Sequence, residues 1–422
     1  MIKCFTFENF KSFEKAELNI EPFTSVVGTN SSGKSNAVEG IKILSECASG
    51  VELKLILDGT PSFGSRIRGG SKSCPRFKTR SFKLGCLISR DDTQDLLYEI
   101  RIGVNGNIWV EEEGLYLVPA GKTSPKTKKV FKTKKPEPGD SDIKVEFEND
   151  CLNGALDLLC ARNSAILPQL IARAPKDKLS SDSLEDMQNV LNSLKSVMVL
   201  NPDTRAMREY CRIEETELRD DCSNLSAVLY HLCQDEIVKS KLLGIISALP
   251  ENEIVDISFV KTKIGDVIFG LKERYINSKE LVDARQLSDG TLRCLAMISA
   301  IMSGDYSGLI IFEEADNGIH PGRILKLITS LYELGRERNI DVMITTHNGM
   351  LMNQYKTPFL NGVSVVYREK EKGTSQFVAL PDVDAVPEIF AAGGLGDAMI
   401  DDRLIDRIKN GRRKANCSWL EV

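Results

Sequence analysis

Gly28-Thr29-Asn30-Ser31-Ser32-Gly33-Lys34-Ser35 is a complete G-x-x-x-x-G-K-S stretch, and its surroundings decide the fold. Phe23-Thr24-Ser25-Val26-Val27 before it reads as a short apolar strand, and Asn36 to Cys47 after it reads as a helix. Strand, glycine-rich loop and helix in that order predict a polyphosphate cradle. Glycines let the backbone approach an anion, and the amides at the helix start point towards it. Lys34 supplies charge for β and γ phosphates, and the Ser35 hydroxyl can ligate Mg²⁺. The plain alternative is a Gly/Ser turn with an incidental lysine, and the strand-loop-helix setting argues against it. The loop predicts a nucleoside-triphosphate site.

The 422 residues suffice for one large domain or two ordinary ones, with 42% apolar content for a core. A net charge of −5 gives no global pull towards nucleic acid or membrane, so any such surface is local. No apolar run reaches the roughly 18 residues of a membrane span, and Met1-Ile2-Lys3-Cys4 opens no signal peptide. The eleven cysteines form no C-x-x-C pair. Cys211, Cys222 and Cys233 recur every 11 residues, which would place them on one face of a helix. Buried free thiols in a reducing cytoplasm are the expectation.

Phe77 to Ser89, Leu96 to Gly103 and Ile108 to Val118 alternate like strands, with Asn105-Gly106-Asn107 as a hairpin turn. They predict an antiparallel subdomain beside the phosphate loop. Gly121 to Asp140 carries seven lysines and three prolines and reads as a solvated loop. Its sharper reading is a basic arm for DNA or an acidic partner, without the aromatic interleaving that would strengthen it. Residues 151–252 read as a helical insertion, with Ala155-Leu156-Leu158-Leu159 and Leu225-Val228-Leu229-Leu232 at helical spacing. Strands return at Ile254 to Val260 and Asp266 to Leu271. The expected organisation is therefore 1–150, 151–252 and 253–422.

A second cluster follows. Gln286-Leu287-Ser288-Asp289-Gly290-Thr291 precedes an amphipathic helix, Leu292 to Ser303, and on its own reads as a helix cap. Gly308 to Phe312 is an apolar strand ending in Glu313-Glu314, and Asp341 to Thr346 is another ending in His347. In open α/β sheets, ligands sit at the carboxyl ends of strands, so these side chains should meet the phosphate loop. Of the three histidines, His231 reads as structural and His320 as helix-start packing.

The order of phosphate loop, L-S-x-G, strand with acid pair, and strand ending in histidine resembles an ABC-type ATPase head. More narrowly, it resembles the RecF/SMC-related branch that includes OLD-family and AAA-domain ATPases of bacterial defence systems. Glu8-Asn9-Phe10-Lys11-Ser12-Phe13, Leu287 to Arg293, and Asn317-Gly318-Ile319-His320-Pro321 carry that narrower likeness. The likeness is close over 1–48 and 280–350 and holds only in layout between them. It implies an α/β fold, an ABC-ATPase head with a P-loop parallel-sheet core, an antiparallel β subdomain and a helical insertion. By the same resemblance, Gly28, Thr29, Asn30, Ser31, Ser32, Gly33, Lys34, Ser35 and Asn36 hold ATP, and Ser35 and Glu313 hold Mg²⁺. Glu314 is then the base, His347 the γ-phosphate switch, and Ser288 and Gly290 close on ATP held by a second subunit. A homodimer or higher oligomer with ATP sandwiched between heads follows. Aspartate is usual at the metal-side position, so Glu313 predicts altered Mg²⁺ geometry and slower turnover. No Q-loop glutamine is evident.

Two functions fit. One is an ATPase that senses an invader and controls a separate nuclease or toxin effector in antiviral defence. OLD-type nucleases add a C-terminal metal-dependent domain, which Asn348 to Val422 would house with difficulty; Asp382-Val383-Asp384 there reads as a loop. No intrinsic nuclease is expected. The other is a RecF-like DNA-repair clamp, favoured by the 121–140 lysines and disfavoured by the acidic balance. A transporter ATPase fits poorly.

Overall fold

A computed structural model describes the chain except for 61–66, 138, 148–155, 174–179, 249–253, 275–280, 305–306, 356, 370, 384–385, 387, 389–392, 401–402 and 411–422. Two compact units interleave along the sequence. Met1–Ile20, Asn30–Val197 and Val366–Phe377 form the first; Glu21–Thr29, Met198–Val365 and Val378–Val422 form the second. The chain opens with β1 (Ile2–Phe10), β2 (Phe13–Asn19), β3 (Phe23–Val27), α1 (Lys34–Ala48) and α2 (Leu53–Asp58).

The first unit continues with β4 (Ser81–Ser89), β5 (Gln94–Asn105), β6 (Asn107–Pro119), β7 (Lys128–Thr133), β8 (Asp142–Phe147), β9 (Leu156–Ala161), α3 (Ile166–Arg173) and α4 (Ser181–Lys195). Its strands form one antiparallel sheet in the order β2-β1-β4-β5-β6-β7-β8-β9. β2 alternates from Ala16 onward, burying Ala16 and Leu18 and exposing Glu17 and Asn19, as a sheet with one dry face requires. Gly106 turns the β5–β6 hairpin at φ 82°, as its sequence predicted. α1 lies against β1: a Cβ at Gly40 would come within 2.8 Å of the Phe7 ring, so only glycine allows the approach. Phe7 stacks on Phe13, and Phe13 on Phe377, each at 5.1 Å between centroids.

The lysine-rich stretch is a loop at its two ends, as its composition predicts, but not in its middle. Lys128–Thr133 is β7, inside the sheet, and the lysines face carboxylates on neighbouring strands. Lys129 pairs with Glu146 at 2.9 Å, Lys132 with Glu112 at 3.2 Å and Lys134 with Glu146 at 3.2 Å. Lys126 pairs with Glu99 and lies 3.9 Å from the centre of the Tyr116 ring. Pairing of opposite charges within the sheet accounts for four of the seven lysines without a nucleic acid. The reading of Leu156 to Leu159 as helix is also corrected: it is β9, hydrogen-bonded to β8. Ala155 lies outside the described residues.

The second unit carries β10 (Val197–Leu200), β11 (Cys211–Arg212), α5 (Leu225–Leu232), α6 (Glu236–Ala248), β12 (Ile254–Lys261), β13 (Asp266–Glu273), β14 (Val282–Asp283), α7 (Asp289–Met302), β15 (Leu309–Phe312), α8 (Pro321–Arg338), β16 (Asp341–Thr346), α9 (Gly349–Met352) and α10 (Thr357–Leu360). β17 (Val363–Arg368) and β18 (Ser375–Ala379) cross the boundary, and α11 (Leu395–Ile400) and α12 (Arg403–Asn410) follow. Its main sheet runs β10-β15-β16-β3-β17-β18, with β15, β16, β3 and β17 parallel. β3, β15 and β16 are buried along their whole length, the mark of parallel strands covered on both faces. A smaller sheet joins β11, β13, β12 and β14.

The 11-residue cysteine spacing is not helical. Cys211 lies in β11, Cys222 in a turn at φ 57°, and Cys233 caps the end of α5. All nine described cysteines are free, and all but Cys211 are buried. No described helix is long and apolar enough to cross a membrane.

Candidate functional site

The glycine-rich loop begins where β3 ends, with Gly28 and Thr29 following Val27, and enters α1 at Lys34. In the first unit the turn is sharp. Ser31 sits at φ 64° and Gly33 at φ 123°, and a Cβ on Gly33 would meet Ser375 Oγ at 2.8 Å and Phe13 at 3.2 Å. Only glycine fits there. Ser375 Oγ donates to the Ser32 carbonyl at 2.5 Å, and its N–H donates to the Ser12 carbonyl at 2.8 Å. Asn36 Nδ2 donates to Ser12 Oγ at 2.8 Å, so Asn36 braces the loop from within the helix.

Gly33 occupies the cap position of α1; no side chain caps the first turn and no acid lies in it. Helix starts carry amides without intrahelical partners and a partial positive charge. The buried Lys34 adds a full charge. Ser32 is 2% exposed, yet its Oγ has no hydrogen-bond partner. A donor-rich, acid-free helix start with an orphaned hydroxyl suits a phosphate group.

In the second unit, four strands end side by side. β10 ends at Leu200, β15 at Phe312, β16 at Thr346 and β3 at Val27, so Asn201, Glu313, His347 and Gly28 emerge along one edge. Glu313 N–H donates to the Leu200 carbonyl at 3.0 Å. Glu314 N–H donates to Thr345 Oγ1 at 2.9 Å, and Ala315 N–H to the Thr345 carbonyl at 3.2 Å. Glu314 holds φ 50°, a left-handed conformation that costs an ordinary residue about 1 kcal/mol or more. Those bonds over-determine the strained turn. Glu313 is half-buried, while Glu314 and His347 are exposed.

Ser288 caps α7: its Oγ accepts from Thr291 N–H at 3.2 Å and lies 2.9 Å from Thr291 Oγ1. Ser288 itself is exposed. A Cβ on Gly290 would lie 2.5 Å from the Gly318 carbonyl, so the signature packs directly on the turn after the acid pair. The remaining histidines are structural. His231 Nε2 lies 2.6 Å from the Ile213 carbonyl, and His320 Nδ1 caps α8 through Gly322 N–H at 3.2 Å. Asp382 ends a short 3-10 turn; Asp384 lies outside the described residues. Among the described residues no cluster of His, Cys, Asp or Glu could hold a metal ion.

Two residues escaped the sequence reading. Asp316 is 8% exposed and its Oδ1 lacks a partner, a buried acid two residues beyond Glu314. The E-E-x-D spacing was its available signal. Asn201 reaches the edge only because β10 pairs beside β15, a non-local fact with no local signature.

Residues 23–353, well over half of the chain, match a family described as "AAA domain, putative AbiEii toxin, Type IV TA system". No curated protein matches the chain. Several solved structures are similar at low identity. An SMC head bound to the C-winged helix domain of ScpA shares 14% identity at TM-score 0.48, over 89% of this chain and 96% of that one. The SMC head domain from Thermotoga maritima shares 12% at 0.42, over 90% and 98%. The Smc head domain with an extended coiled coil bound to the C-terminal domain of ScpA, derived from Pyrococcus furiosus, shares 13% at 0.47, over 97% and 99%. At those values they add nothing to the reading of individual residues. The extent of the family match, with the phosphate loop, acid pair and strand-end histidine all inside it, makes the chain a member of this AAA-domain family.

Proposed function

We propose that the chain binds and hydrolyses Mg-ATP as a head-to-head dimer or higher assembly, and that this cycle controls a separate effector in an anti-phage defence system. The observation that carries the reading is the start of α1, where the G-x-x-x-x-G-K-S loop delivers uncapped amides, a buried lysine and no acid. Gly28 to Lys34 and Asn36 hold the phosphates, and Ser35 and Glu313 hold the metal. Bound Mg-ATP supplies a γ-phosphoryl group open to in-line attack. Glu314 orients the attacking water and accepts its proton, His347 contacts the γ-phosphate, and Ser288 and Gly290 of a second copy complete the site.

The defence assignment draws support from the family description, which names a putative toxin and a type IV toxin–antitoxin system. A RecF-like role draws less, because Lys126, Lys129, Lys132 and Lys134, four of the seven lysines that favoured it, are engaged by glutamates of their own sheet. Co-expression with its neighbouring gene tests the proposal. A stable complex and phage protection that requires Lys34 and Glu314 are expected. Robust DNA cleavage by the highly purified chain alone would contradict it in favour of a self-contained nuclease.

A further inference from the structure

We propose that Arg208 is a positioning residue that fixes the shape of the signature loop and ties it to the segment leaving β10. The inference rests on the reading of the chain as an ATPase whose signature completes a second copy's site. Arg208 ends a short 3-10 turn, Ala206–Arg208, within the second unit. Its guanidinium makes three hydrogen bonds. Nη1 donates to the Thr204 carbonyl at 2.7 Å, and Nη2 donates to the Leu287 carbonyl at 2.8 Å and to Asp289 Oδ1 at 2.6 Å. Leu287 and Asp289 flank Ser288, so one planar group holds the exposed serine from both sides. A guanidinium presents its donors in a rigid fork, which suits fixing two acceptors at a set spacing.

The serine cannot hold that shape itself, since its hydroxyl is committed to Thr291. Gly290 is anchored from the other side, against the Gly318 carbonyl. Arg208 therefore supplies the anchor that is not part of the acid turn. Its bond also holds the Asp289 carboxyl below the usual carboxylate range. That side chain is 57% exposed, and exposed ion pairs contribute little to stability, so the pair's effect is on position rather than on folding.

The other end of the segment reaches the site edge. Leu200 accepts from Glu313 N–H, and Asn201 N–H donates to the Asp220 carbonyl at 2.8 Å. Asp203 N–H donates to the Asp221 carbonyl at 2.9 Å, and Met207 N–H to the Asp203 carbonyl at 3.0 Å. The stretch from the acid edge to Arg208 is thus braced at Asn201, Asp203, Thr204 and Met207. A displacement at the end of β10 reaches Ser288 through a short, hydrogen-bonded stretch. One copy's own nucleotide edge and the loop it offers its partner are mechanically linked.

The test is steady-state hydrolysis, nucleotide binding and melting of wild type, Arg208→Ala, Arg208→Lys, Asp289→Asn and the Arg208→Ala/Asp289→Asn double variant. A positional role predicts that Arg208→Ala lowers kcat by about 10²-fold. ATP affinity and melting temperature should stay near wild type, which a merely structural role would not allow. Lysine should restore part of the rate, and the double variant should be no slower than Arg208→Ala alone, because both lesions break one contact. Wild-type kcat in Arg208→Ala, or affinity falling in step with rate, would overturn the inference. If Arg208→Ala does not fold, Asp289→Asn decides: it keeps both carbonyl bonds and should still lower kcat at unchanged affinity, and an unchanged kcat overturns the proposal. Lys34→Ala serves as the control for the parent reading. If wild type itself shows no Lys34-dependent ATP binding or turnover, the ATPase reading and this inference fail together; if it does and Arg208→Ala matches it, only Arg208 is refuted.

Discussion

At the start of α1 the cap position is Gly33, no side chain accepts from the first turn, and no acid lies within it; at the start of α7 Ser288 fills the cap and Asp289 adds negative charge beside it. α3 offers a third solution. The Glu113 carboxylate, fully buried, accepts from Ile166 N–H and Leu167 N–H at 2.7 Å each, so the protein supplies its own anion. All three helix starts carry amides without intrahelical partners and the same dipole. They differ in which side chain answers them. α7 and α3 are capped by side chains of this chain, whereas α1 has no side-chain cap and no acid in its first turn.

Removing Lys34 should break the contrast most completely. Lys34→Ala is expected to weaken Mg-ATP binding by about 10²-fold or more while the fold persists, read by nucleotide titration and thermal melting. Wild-type affinity in a folded variant would remove α1 as the phosphate site. Glu314→Gln keeps the shape of the strained turn and the charge at α1, but removes the base. ATP should still bind and turnover should fall by about 10²-fold, measured as phosphate release. Normal turnover would mean that Glu313 and Glu314 are assigned the wrong way round.

The α3 terminus sharpens the comparison through pH. Burial raises the Glu113 pKa from 4.5 to about 7, against the lowering effect of its two amide donors and Tyr98. A carboxyl raised on folding favours the protonated native state. Its contribution is fully present below about 4.5 and is lost as pH rises through about 7. Urea unfolding across that window should show a loss of stability that Glu113→Gln flattens; an identical slope in the variant would exclude Glu113 as its source. The smallest effect belongs to α7. Ser288→Ala removes a cap and should lower stability by about 1 kcal/mol without weakening ATP binding. A matching loss of ATP affinity would mean that α7 serves its own copy's nucleotide.

The glycine-rich turn and the strand-end edge were legible because their signals are local: a glycine spacing that few other turns require, and apolar strands ending in acids or histidine. The parallel sheet then follows, since only parallel order brings Val27, Phe312 and Thr346 to one edge. What escaped is set by partners distant in sequence. Lys128–Thr133 is a strand because Glu112 and Glu146, on flanking strands, pair with its lysines. Leu156–Ala161 carries an apolar run that suits either period, and pairing with β8 decides it. Asn201 and Arg208 gain meaning only once β10 lies beside β15 and its following turn meets Leu287. The 11-residue cysteine spacing would mark one face only in a helix, and its residues lie in a strand, a turn and a helix end.

The central claim is that α1 of one copy and α7 of another act on the same ATP. Mixing Lys34→Ala protein with Ser288→Arg protein tests it most directly. Each alone should be inactive, the first unable to bind ATP and the second able to bind but not hydrolyse. In a mixed dimer one site carries both lesions and the other carries neither, so phosphate release should partly return. Continued inactivity, with subunit exchange demonstrated in the same sample, would contradict the account.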